Sequence, residues 1–63
     1  MKVQFYVKQI DEDQKTRDQF LFSDDYAEMM EHKQIEFDGQ RFQVNSLEWM
    51  KDKSLKAVCL EIR

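Results

Sequence analysis

The side chains with the widest chemical reach are a single histidine, His32, a single cysteine, Cys59, and 13 carboxylates. A nucleophilic thiol needs a nearby cation, a helix N-terminus or a second thiol to lower its pKa. Cys59 stands between Val58 and Leu60 and reads as a small apolar residue within a strand. His32 has no Ser, Cys or carboxylate in a recognised arrangement beside it, and an imidazole without an orienting partner reads as a surface residue. One Cys and one His cannot complete a tetrahedral zinc site. Asp11, Glu12 and Asp13 lack the spaced ligands and glycine of a calcium loop. Phosphate-cradling loops need several glycines, and this chain has one. The expectation is a protein with no catalytic residues, no metal and no cofactor.

Charge is the stronger lead. The chain carries −3 at pH 7, distributed as +2 over residues 1–10, −6 over residues 11–36 and +1 over residues 37–63. Asp24, Asp25, Glu28 and Glu31 fall in the acidic stretch and are the candidate contacts to a basic surface on an unknown protein partner. Lys2, Tyr6, Lys8 and Arg41 would share the open face of a sheet, the arrangement of a single-stranded nucleic-acid binder with Tyr6 as stacking platform. One aromatic and three cations fall short of the two or three stacked aromatics of RNA-binding sheets, and net negative charge repels phosphate, so a protein partner is preferred. A homodimer is the third reading, through paired edges or a shared apolar face, in a short chain rich in Phe and Met.

These residues need elements to hold them. Gly39, the only glycine, follows Asp38 between two alternating apolar-polar runs, the signature of a two-residue hairpin turn with positive φ at both central positions. That turn sets Phe37 opposite Gln40, Glu36 opposite Arg41, Ile35 opposite Phe42 and Gln34 opposite Gln43. Ile35, Phe37, Phe42 and Val44 then share the apolar face. Upstream, residues 2–10 alternate as a strand with Val3, Phe5 and Val7 on one side. Residues 11–18 are wholly polar and read as a solvated loop, and residues 19–22 as a brief strand pairing back on the first. Ser23, Asp24 and Asp25 carry a helix start, and Tyr26, Met29 and Met30 recur at helical spacing, which predicts a helix to Lys33 packed on the sheet.

Downstream of the hairpin, Val44 is out of phase with Leu47 and Trp49, so Asn45 and Ser46 must hold a bulge or bend in a strand over residues 40–50. Trp49 is expected beneath the helix. Residues 51–54 form a polar turn, and residues 55–62 a last strand with Val58, Leu60 and Ile62 on one face and Ala57, Cys59 and Glu61 on the other. The predicted class is α+β: one two-layer domain over residues 1–63, a mostly antiparallel sheet of four or five strands with one helix on one face. The expected setting is cytoplasmic, because a lone cysteine cannot close an internal disulfide and polar residues interrupt the N-terminal apolar run. No window approaches the ~20 apolar residues of a membrane span.

Overall fold

The computed structural model describes residues 1–62. Its regular elements are five strands: β1 (Lys2–Ile10), β2 (Thr16–Asp25), β3 (Gln34–Phe37), β4 (Gln40–Trp49) and β5 (Leu55–Ile62). They make one sheet in the order β2-β1-β5-β4-β3, antiparallel except where β1 and β5 run parallel. The fold is all-β, which corrects the α+β expectation.

The sheet curls into a half-barrel and covers its own apolar face. Phe22 and Phe37 come from strands at opposite edges, yet their rings stack with centroids 4.8 Å apart and planes 14° apart. Two bulges assist, one leaving Leu21 unpaired between Phe20 and Phe22 and one leaving Asn45 unpaired between Val44 and Ser46. Extra residues of this kind bend a strand and raise its local twist. Inside lie Val3, Phe5 and Val7 of β1, Leu55, Ala57 and Cys59 of β5, Phe42 and Val44 of β4, and Ile35 of β3.

The predicted helix is absent for a reason the packing supplies. Ser23, Asp24 and Asp25 extend β2 opposite Gln4, Val3 and Lys2 instead of capping a helix. Residues 26–33 run as an irregular connection pinned by backbone bonds: the Tyr26 N–H donates to Met1 O at 2.9 Å, the His32 N–H to Val44 O at 2.8 Å, and the Val44 N–H to Lys33 O at 2.8 Å. A short helix repays its nucleation only through packing, and here the curled sheet has already closed the surface it would cover. From this connection Met29 is drawn in as a plug, 8 % exposed, and Tyr26 is half-buried against the core. Trp49, expected under the helix, ends β4 opposite Leu55 and is 65 % exposed.

The hairpin has the expected register, Gln34↔Gln43, Ile35↔Phe42, Glu36↔Arg41 and Phe37↔Gln40, with φ of 54° at Asp38 and 77° at Gly39. The irregularity expected at Asn45 and Ser46 is a bulge at Asn45. The polar loop is shorter than expected, because Thr16 already belongs to β2. It is also built: the Asp11 carboxylate accepts the N–H groups of Asp13 at 3.0 Å and Lys15 at 2.9 Å. In the turn before β5, Asp52 Oδ1 accepts both the N–H and the hydroxyl of Ser54, which hold the Asp52 carboxyl below its ordinary value. Among the described residues, no helix is long and apolar enough to cross a membrane.

Candidate functional site

A curled sheet buries its inner face and leaves the outer one to solvent. The pleat puts Lys2, Gln4, Tyr6 and Lys8 of β1 outward, and strand register adds Phe20 opposite Tyr6 on β2 and Val58 opposite Tyr6 on β5. Because β5 is the central strand, its outward residues Val58, Leu60 and Ile62 form an apolar stripe down the middle of this face. Phe20 is 49 % and Leu60 45 % exposed. Sequence reasoning set these three on one face of β5 but did not make that face a candidate surface. What was missing was the central position of β5, which turns three outward aliphatics into the middle of a surface.

The charges around the stripe cancel. Lys2 stands opposite Asp25, Lys8 opposite Asp18, Lys56 opposite Glu48 and Arg41 opposite Glu36. Every cation on the face therefore has an acidic register partner, and the face is neutral although the chain carries −3. Among the described residues one cross-face ion pair is formed outright, Lys56 Nζ to Asp18 Oδ2 at 2.9 Å, and that hydrogen bond raises the Lys56 pKa. The same ammonium lies 4.9 Å from the centroid of the Tyr6 ring, over its face. Phe20 meets Tyr6 edge-on, with centroids 5.4 Å apart. The Tyr6 hydroxyl donates to Gln4 Oε1 at 3.4 Å.

The residues proposed from sequence divide into two groups. Lys2, Tyr6, Lys8 and Arg41 do share one face, joined by Phe20 and Lys56, which sequence reasoning left out. Asp24, Asp25, Glu28 and Glu31 do not share a helix face. Asp24 and Asp25 end β2 on opposite sides of the sheet, and Glu28 and Glu31 line a hollow on the irregular connection with Met30, His32 and Lys33. Asp24 adds to the burial that raises the Tyr26 hydroxyl pKa. His32 lies 3.2 Å from the side-chain amide of Gln43 on the outer face.

Cys59 faces inward with no exposed surface, and burial pushes its thiol up to about 11. At neutral pH it is a thiol and not a thiolate. Among the described residues, no three His, Cys, Asp or Glu side chains cluster as a metal site. No family model matches the chain, and searches of curated proteins and of solved structures find no significant match.

Proposed function

We propose that the chain is a non-enzymatic protein-binding module whose docking surface is the outer face of the sheet and whose occupant is a second copy of the same chain. The observation that carries this reading is the aliphatic stripe of Val58, Leu60 and Ile62 on the central strand, flanked on both sides by charges that cancel. A net-neutral face meets its own copy without repulsion, and a mixed-sign rim offers each charge an opposite one across a two-fold axis. Size supports it as well. The two larger dimensions, 36 and 27 Å, span a face of the extent needed for the about 800 Å² per partner of a standard interface.

Neutrality also weighs against a polyanion. Phosphate recognition draws on uncompensated cations, and here each candidate cation has a carboxylate opposite it. A stacking platform needs a free ring, whereas the Tyr6 ring is flanked by Lys56 and Phe20. A cytosolic setting suits the module, since its single thiol is buried and stays unpaired in a reducing compartment.

Sedimentation equilibrium across micromolar to millimolar protein tests the reading. The native chain is expected to self-associate. Leu60→Glu, which places a carboxylate in the stripe, is expected to weaken association by roughly ten- to a hundredfold, the worth of one buried Leu side chain. A native chain that stays monomeric at millimolar concentration removes the reading. So does undiminished association of Leu60→Glu, and in either case binding of an oligonucleotide at the same face would favour the nucleic-acid alternative.

A further inference from the structure

The half-barrel is closed by the Phe22–Phe37 stack over part of its length only. Beyond the Phe22–Phe37 stack, on the side away from the connection over residues 26–33, β2 and the β3–β4 hairpin separate and leave a cleft of about 280 Å³. Val7, Leu21, Phe37 and Phe42 give it an apolar floor, glutamines line much of the rest, and its charged residues are Glu61, Asp38 and Lys8, the last with Asp18 as its register partner. Glu61 reaches the cleft because the pleat carries it to the inner face: it continues the inward series Leu55, Ala57 and Cys59 and pairs with Phe42. At this position the Glu61 side chain is exposed at the mouth of the apolar interior, where a cation can meet it. Along the same cleft runs β2, an edge strand of ten residues with no strand on its outer side, so half of its backbone N–H and C=O groups lack a ladder partner.

We infer that this cleft is a peptide site: an extended segment of a partner protein adds to the β2 edge and sends one Arg or Lys side chain into the cleft. The parts fit that chemistry. A free edge supplies main-chain hydrogen bonds to any extended segment, and a neighbouring pocket selects a side chain at alternate positions. The apolar floor takes the aliphatic stem of a long cationic residue, and Glu61 with Asp38 receives its charged head. With two carboxylates against one lysine, the lining is net negative, which favours approach of a basic segment. Apart from Lys8, its lining residues lie off the outer face, so the inference is tested independently of self-association.

Three acetylated, amidated heptapeptides of alternating Val and Thr, with Arg, norleucine or Glu at the centre, test it on the native chain by amide chemical shifts. The Arg peptide is expected to move Gln9, Gln19, Leu21 and Gln40 saturably. It should bind about tenfold tighter than the Glu peptide, the scale of one charge-assisted hydrogen bond, with norleucine between them. Glu61→Gln, an exposed substitution whose fold is checked by the unchanged shifts of Val3 and Phe5, should erase most of the preference for Arg over norleucine. Absence of saturable shifts at millimolar peptide overturns the inference. Equal binding of all three peptides, or shifts centred on Val58, Leu60 and Ile62, overturns it equally.

Discussion

The inner and outer faces of this sheet are drawn from the same five strands, and both are apolar at their centre. They differ in what covers them. On β5 the inward series is Leu55, Ala57, Cys59 and Glu61, whereas the outward series is Lys56, Val58, Leu60 and Ile62. The bulkier aliphatics toward the end of the strand therefore point out. Curvature explains the choice: the concave side of a curled sheet is crowded by Phe5, Phe42 and Met29, so small residues fit the centre there. The convex side has no such limit, and its aliphatics have no steric reason to be small or polar. Their retention at the surface is what directs attention to a partner.

The contrast can be broken first at the core. Phe5, with no exposed surface, stacks on Phe22 at 4.7 Å and meets Tyr26 edge-on at 5.5 Å. Phe5→Ala is expected to cost on the order of 3–5 kcal/mol. That is about all that a domain of this size has, so its circular dichroism should report a largely unfolded chain. Leu60→Ala, at a concentration where the chain is monomeric, is expected to cost less than about 1 kcal/mol by urea unfolding. Similar losses at the two positions would mean that the faces are assigned wrongly.

The hairpin that sets which side is inner gives a smaller effect. At Gly39 a Cβ would meet nothing within 4 Å, so substitution there is penalised through φ of +77° alone. Gly39→Val is expected to cost about 1–2 kcal/mol more than Gln40→Val; equal costs by the same urea measurement would contradict the turn. A chemical readout of inward placement comes from Cys59. With its thiol raised from 9.0 to about 11, native protein at pH 8 should react with iodoacetamide about a hundredfold more slowly than unfolded chain. Equal rates would put Cys59 at the surface.

The smallest effect lies in the turn that feeds β5. Because Ser54 hydrogen bonds lower the Asp52 pKa, their stabilisation is fully present above the ordinary 3.8 and is lost as pH falls through the depressed folded value. Asp52→Asn should therefore flatten the fall in stability below pH 3.8 and leave the outer face unchanged. A native curve that is already flat there would remove the Asp52 contribution.

Local pairing was legible in the sequence because it rests on neighbours. Asp38 with Gly39 set the hairpin register, alternation set β1, and the phase slip after Val44 located the bulge at Asn45. Tertiary choices were not legible. Ser23, Asp24 and Asp25 cap a helix as well as they end a strand, and only the curling of the sheet, through the Phe22–Phe37 stack, removes the need for a helix. The tightness of the loop after β1, read correctly as a loop but too long, escaped for a related reason. With one glycine, the chain takes left-handed backbone at Gln14, His32, Asp38 and Lys53, residues that a search for glycine passes over. For the candidate site, alternation placed Lys2, Tyr6, Lys8 and Arg41 together. Strand order was needed to bring Phe20, Lys56 and the β5 stripe to them and to set an acid opposite every cation.

The most direct test of the outer face as a meeting surface is an isotope-filtered nuclear Overhauser experiment on a mixture of labelled and unlabelled chain at millimolar concentration. The expected result is a set of cross-copy contacts from the methyl groups of Val58, Leu60 and Ile62, joined by the rings of Tyr6 and Phe20. Cross-copy contacts confined to the β2 edge or to Met30 and Trp49, or none at all, would contradict it.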